Sequence, residues 1–187
     1  MDVHAVAIAL QRVVSELNIG PEDVVLDLGC GTGILTGILL GVLSDRGHIH
    51  AVDFSPAMIR VAQSKVYDRR ITWHIADALH LSVSDSSIDR VVCFSSWPHF
   101  ADFDAAAREI YRVLRNHGTL AILHLQSREK INHIHASAGG PIAGDLLPPA
   151  TQLTSILQEN SLIPTRTVDD DRMYLIVATK GPAYHIP

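Results

Sequence analysis

The sequence predicts an α/β fold: a doubly wound, mostly parallel sheet of seven strands with an antiparallel last strand, and helices on both faces. Three observations carry this expectation. Short apolar runs alternate with segments of helical period from Val24 onward. A glycine-rich turn, Gly29-Cys30-Gly31-Thr32-Gly33, joins the first such run to the helical segment after it. The chain then closes on two neighbouring β-prone runs, near enough in sequence to pair antiparallel. With 187 residues, 47% hydrophobic and 19% charged, residues 1–187 suit one domain. A chain of this size hides about 70% of its unfolded surface without a disulfide or metal staple.

Taken in order, Val3, Val6, Leu10, Val13, Val14 and Leu17 recur at helical spacing behind Asp2, an N-cap, and Gly20-Pro21 stops this N-terminal helix within residues 1–19. Val24 to Leu28 is a strand, and Ile34 to Leu43 a helix. His48 to Asp53 repeats the strand, and Pro56 to Val66 the helix, with Ser55 as N-cap and Pro56 at its first position. Ile71 to Ile75 and Asp89 to Phe94 are further strands. Asp104 to Arg115 reads as a helix that Asn116-His117-Gly118 ends, and Thr119 to Leu125 is the fifth strand. Glu109, Arg112 and Arg115 fall together as a solvated face of that helix. Thr151 to Leu162 gives a last helix, and strands around Pro164 to Val168 and Arg172 to Thr179 complete the sheet. The one long connection, residues 126–150, belongs to the active face, because irregular stretches of this length in small domains usually carry function.

Composition excludes several function classes. The formal charge is −5 and no Lys or Arg run forms a phosphate-binding stripe, so no nucleic acid partner is expected. No stretch reaches the roughly 18 apolar residues of a membrane span, and the N-terminus lacks a basic leader, which favours a cytoplasmic protein. Cys30 and Cys93 sit in apolar runs as reduced, buried thiols. A monomer or homodimer acting on a small molecule fits these limits.

The densest chemical signal is the turn after the first strand. Its glycines let the backbone bend tightly and approach a ligand, while the following helix directs free N–H groups and its positive dipole end there. A dinucleotide turn needs G-x-G-x-x-G, but the sixth position from Gly29 is Ile34. Asp27, two residues before Gly29, repels a pyrophosphate and attracts an ammonium group. A zwitterionic, cationic ligand is the better match.

These residues resemble the first motif of the Rossmann-like S-adenosyl-L-methionine-dependent methyltransferases, and within them a small subgroup without a large cap domain, of the methyltransferase type 11 kind. The later motifs follow in order along nearly the whole chain. The resemblance implies S-adenosyl-L-methionine as cofactor. Its contacts are then expected from Asp27, Gly29, Cys30, Gly31, Thr32 and Gly33 in the turn, and from Asp53, Phe54 and Met58 after the second strand. Asp77 and Ala78 complete the set at the adenine, and Ser95 at the methionine end and substrate, with Ser96 beside it. Asp53 is implied as the ribose ligand, since two carboxylate oxygens match a vicinal diol.

Histidine is the natural base for an acceptor that must lose a proton. Of the 11 histidines, His4, His48, His50, His74, His80, His117 and His185 read as ordinary surface residues. His99, in Ser95-Ser96-Trp97-Pro98-His99-Phe100, falls where the family lines its acceptor pocket; Trp97 beside it reads as core. In the long connection, Ser127 caps a short helix that Gly139-Gly140 ends, placing Arg128, Asn132 and His135 on one face. His99, His135 and Asn132 are therefore the candidate catalytic residues. His133 and His135 share a face only on a strand, so no metal is expected from a helix.

The expected activity is methyl transfer from S-adenosyl-L-methionine to a small-molecule acceptor by in-line displacement. The competing reading is a module that binds this cofactor or a metal ion without methyl transfer; stoichiometric metal without turnover is its signature.

Overall fold

The computed structural model describes residues 3–182. The expected Asp2 cap and the surface role of His185 lie outside these residues. The elements are α1 (Val3–Ser15), β1 (Val24–Leu28), α2 (Ile34–Val42), β2 (His48–Asp53), α3 (Pro56–Lys65), β3 (Ile71–Ile75), β4 (Ile88–Phe94), α4 (Phe103–Val113), β5 (Leu114–His124), α5 (Arg128–Ala138), α6 (Ala150–Glu159), β6 (Leu162–Asp169) and β7 (Tyr174–Lys180). Single 3-10 turns at Trp97–His99 and Gly140–Ile142 complete them.

The sheet order is β3-β2-β1-β4-β5-β7-β6, with β7 antiparallel to both neighbours. Successive side chains along a strand point to opposite faces, and this sorts the core into two layers. Val25 and Val92 pack with Leu10, Leu35, Leu39 and Ile59 on one face. Their neighbours Leu26 and Val91 pack with Ile110, Val113, Leu153 and Leu157 on the other. From β1 the chain runs outward to β3, then returns to start β4 on the opposite side. The reversal lies between β1 and β4, and the crevice at their carboxyl ends is where such sheets bind ligands.

Two expectations near the middle of the chain need correction. The helix over 104–115 stops at Val113, because Leu114 is already extended and pairs with Ile88 as the start of β5. The register then shifts between Ile88 and Arg90, and His117 takes a positive φ of 65° within the strand. Asn116-His117-Gly118 is thus an irregularity of β5, not a helix stop. Nor do Glu109, Arg112 and Arg115 form a solvated face. Arg112 donates to the carbonyls of Leu81 (3.0 Å) and Val83 (2.8 Å) and pairs with Glu109 and Asp85. Glu109 accepts the Leu81 N–H at 2.7 Å, and the Arg112 guanidinium holds its carboxyl below the usual range. Together they pin the segment between β3 and β4; Arg115 pairs with Asp89 at 2.6 Å.

His48, His50 and His74, expected on the surface, instead form a partly buried column on β2 and β3. The His50 and His74 rings share a hydrogen bond of 2.9 Å, and His48 bonds the Thr72 hydroxyl at 2.9 Å. Burial, then the neighbouring His48 and His74, push the His50 pKa down to about 4. The unfolded value is about 6.5, so the folded chain resists this protonation. The stability tied to the neutral ring is complete above pH 6.5 and is lost as pH falls toward 4. Urea midpoints are therefore expected to fall between pH 6.5 and 5, with His50→Gln flattening the slope; an unchanged slope contradicts the assignment.

Candidate cofactor and active site

The turn after β1 is held from two sides. The N–H groups of Gly29 and Cys30 both donate to the Val52 carbonyl, at 2.8 and 2.9 Å, and the Gly31 N–H donates to the Asp53 carboxylate at 2.9 Å. Gly29 has φ 78°, and a Cβ built there lies 2.3 Å from the Cβ of Ser96, whose hydroxyl donates to the Leu28 carbonyl. Gly31 is also left-handed, at φ 52°, yet a Cβ there meets nothing. One glycine is thus required by packing, while the other leaves a bare backbone facing open space. Gly29→Ala combines a left-handed penalty of about 1–2 kcal/mol with overpacking of about 1–3 kcal/mol. A loss near 3 kcal/mol is expected in urea unfolding, against only the first contribution for Gly31→Ala; equal losses contradict the distinction.

Asp27 is 1% exposed. One of its oxygens accepts the Thr36 hydroxyl at 2.6 Å, and the other, Oδ1, is buried without a partner. Burial is the main reason its pKa is pushed up to about 7; the Thr36 bond opposes this and nearby Asp53 adds to it. Asp27 lines a cavity of about 200 Å³ with Gly29, Cys30, Gly31, Thr32, Ile34, Leu35, Phe94 and Ser95. The first turn of α2 has no side-chain cap from Gly33, and the Thr36 backbone N–H, like its hydroxyl, faces Asp27 and opposes the upward shift. Burial also pushes the Cys30 thiol well up, which leaves it an inert wall.

Asp53 is nearly buried, and its second oxygen accepts the Ser55 N–H at 2.9 Å. A carboxylate has about four lone-pair sites, so two remain for a ligand. Asp53 lines a larger cavity of about 650 Å³ together with Phe54, Met58, Asp77, Ala78, Ser95, Ser96, His99, Phe100, Ile142 and Asp145. This volume is in the range of small-molecule sites. Gly29, Gly31 and Ser95 line both cavities, which makes them one continuous crevice at the β1/β4 switch point. Phe54 is 74% exposed and Met58 42%, giving the crevice an apolar lip.

All but one of the residues expected at the cofactor line this crevice. The exception is Gly33, whose φ of 83° starts α2 and whose Cβ would press on Ala62 at 3.2 Å. Its work is packing. Ser95 has a left-handed φ of 56° and donates its N–H to Leu123. Asp77 accepts the Leu79 N–H at 2.9 Å, fixing the turn beyond β3. Trp97 is fully buried against Phe100 and Phe103, as core.

The three candidate catalytic residues separate. His99 lines the large cavity; His135 and Asn132 do not. Ser127 caps α5 and Gly139, at φ 64°, ends it, and the face carrying Arg128, Asn132 and His135 folds onto other parts of the chain. The Asn132 amide donates to the Leu147 carbonyl at 3.0 Å and accepts the Leu147 N–H at 2.8 Å, so it clamps the return leg of the connection. Arg128 reaches Asp169 at 3.4 Å. His135 Nδ1 bonds the Asp145 carbonyl at 2.5 Å, and its ring stacks on His99 at 5.0 Å. His99 Nδ1 bonds the Asp145 carboxylate at 2.7 Å. Asp145 carried no signal in the sequence: it is a single acid between Gly144 and Leu146, and only the folded connection brings it to His99.

His124, behind these rings, is buried, and burial pushes its pKa down to about 3, so it is neutral. Among the described residues no three His, Cys, Asp or Glu side chains gather as a metal site, and no helix is long and apolar enough to cross a membrane.

Residues 26–122, over half of the sequence, match the family model described as a methyltransferase domain. The chain belongs to this methyltransferase domain family, whose methyl donor is S-adenosyl-L-methionine. It is 32% identical over 117 residues to the demethylmenaquinone methyltransferase of Lactobacillus johnsonii, covering 60% of this chain and 48% of that protein. It is 30% identical over 128 residues to the methyltransferase GfsG of Streptomyces halstedii, covering 66% and 45%. The chain thus spans about half the length of these curated relatives. The fold matches that of a SAM-dependent methyltransferase from Aquifex aeolicus with a TM-score of 0.77 at 18% identity, covering 91% of this chain and 89% of that one.

The residues present suit that donor. The buried, unpartnered Oδ1 of Asp27 lacks a cationic partner, and the open space over Gly31 leaves room for a ligand against bare backbone.

Proposed function

We propose that this protein transfers a methyl group from S-adenosyl-L-methionine to a small-molecule acceptor. The unpartnered oxygen of Asp27 carries the reading, because a carboxylate oxygen left without a hydrogen-bond partner in a side chain only 1% exposed is costly unless a ligand completes it. On this reading Asp27 takes the ammonium group and the first turn of α2 the carboxylate. The free lone pairs of Asp53 take the ribose hydroxyls, Asp77 and Ala78 border the adenine, and Phe54 and Met58 shield it. When bound, the donor supplies a sulfonium methyl open to in-line displacement. The chain's own task is to align the acceptor, exclude water and receive a proton. His99, which faces the larger cavity, is the group placed to receive it. The crevice supports the small-molecule class: the connection over 126–150 contributes Ile142 and Asp145 to the wall of a cavity of about 650 Å³.

Calorimetry tests the Asp27 assignment. The carboxylate must be ionised to hold an ammonium group, and in the free protein it takes up a proton below about pH 7. The ligand's amino group, with an ordinary pKa near 7.7–8.0, stays charged there. Affinity for S-adenosyl-L-methionine is therefore expected to rise about tenfold per unit from pH 5 to 7 and then level, with close to one proton released per ligand at pH 6. Asp27→Asn is expected to abolish that release. Binding without proton release or pH dependence contradicts the assignment.

A further inference from the structure

Asp145 meets two histidines at once, through different atoms. Its carboxylate lies 2.7 Å from His99 Nδ1, and its backbone carbonyl lies 2.5 Å from His135 Nδ1. An ionised carboxylate and a carbonyl only accept hydrogen bonds. Each Nδ1 must therefore carry a hydrogen, which leaves each neutral ring with a bare Nε2 lone pair. Neither Nε2 has a hydrogen-bond partner among the described residues, and the two rings stack with their planes 30° apart. His99 and Asp145 both line the larger cavity, together with Ser95 and Ser96.

We infer that Asp145 is a positioning residue that fixes His99 as a proton acceptor in the crevice and holds His135 in the same tautomer behind it. The inference deepens the methyl-transfer reading and rests on it for its purpose, while the tautomers themselves do not. It also defines the acceptor class: a molecule whose methylated atom carries an ionisable hydrogen, such as a phenol, an enol or a thiol. In the step implied, the acceptor's X–H bond breaks and its proton passes to His99 Nε2. The resulting imidazolium is paired with the Asp145 carboxylate. The electron pair left on X forms the bond to the methyl carbon, and the S–CH3 pair returns to sulfur, leaving the neutral thioether. The proton leaves His99 to water once the product departs.

Long-range proton–nitrogen NMR of the imidazoles in the full chain reads the tautomers directly. At a pH where both rings are neutral, His99 and His135 are expected to show Nδ1–H and an unprotonated Nε2. Asp145→Ala removes the carboxylate but retains the backbone carbonyl. His99 is then expected to move toward the Nε2–H form that free imidazoles prefer, while His135 stays as it was. Binding of S-adenosyl-L-homocysteine is expected to change less than twofold, which separates this inference from the cofactor assignment. An Nε2–H form of His99 in the unaltered protein overturns the inference, and so does a His99 tautomer that ignores Asp145→Ala. If Asp145→Ala unfolds the connection, shown by a shift of His135 as well, Asp145→Asn in the intact fold decides: it must alter the His99 signals and leave those of His135 unchanged.

Discussion

Asp53→Ala is expected to weaken binding of S-adenosyl-L-methionine about 100-fold and leave the chain folded. The carboxylate stands at the end of β2, nearly buried, with one lone pair of each oxygen spent on the N–H groups of Gly31 and Ser55. The remaining pairs face the crevice. A hydrogen bond to a charged group contributes about 1.5–3 kcal/mol, and tenfold in affinity is about 1.4 kcal/mol. Loss of two ribose contacts, discounted for water that replaces them, gives the expected factor. The same substitution frees the Gly31 N–H and loosens the turn, which acts in the same direction. Asp53→Asn separates the two, since its amide oxygen can still accept one of the backbone N–H groups. Calorimetry on both variants, with circular dichroism as the check on folding, measures this. Affinity unchanged in Asp53→Ala contradicts the placement of the ribose.

His99→Ala is expected to reduce turnover about 100-fold, at the low end of what a positioned acid–base group supplies, with cofactor affinity within about twofold of the original. The two effects separate because His99 is not among the residues assigned to the cofactor: Asp27 stands in the smaller cavity, Asp53 ends β2 and Asp77 follows β3 in the larger one, whereas His99 lies beyond β4. His135→Ala is expected to lower turnover less, because His135 stacks behind His99 and does not line the cavity. Release of S-adenosyl-L-homocysteine with a screened phenol, enol or thiol acceptor provides the rate. Equal turnover in His99→Ala removes this residue from the mechanism.

The parts of the fold legible in the sequence were those fixed by local pattern. β1, β2 and β3 fall at Val24–Leu28, His48–Asp53 and Ile71–Ile75 as expected, because glycine, proline and polar residues bracket each apolar run. Ser55 and Ser127 cap α3 and α5 for the same local reason. What the pattern could not show is set by partners far along the chain. Leu114 has ordinary helical neighbours, yet its pairing with Ile88 draws it into β5. Arg112 sits on a helix surface in any local reading, and only the folded chain brings the carbonyls of Leu81 and Val83 to it.

The candidate site divides in the same way. Asp27, Gly29 and Gly31 line the crevice as the glycine turn and the acid before it suggested, while Asp53, which lines it too, was implied by the family resemblance and not by local spacing. The spacing of Arg128, Asn132 and His135 gave a common helix face but not what that face meets. It meets Leu147, Asp145 and Asp169, so Asn132 serves the connection's shape. Asp145 is the clearest omission, since an isolated acid in a loop has no period, cap or motif to mark it.

The most direct test is a calorimetric titration of the unaltered protein with S-adenosyl-L-homocysteine. One saturable site per chain, weakened strongly by Asp53→Ala, is the outcome that follows from a crevice shaped by Asp27, bare Gly31 backbone and Asp53. Absence of any binding heat, with circular dichroism showing a folded chain and no protection of the protein against thermal unfolding, contradicts it.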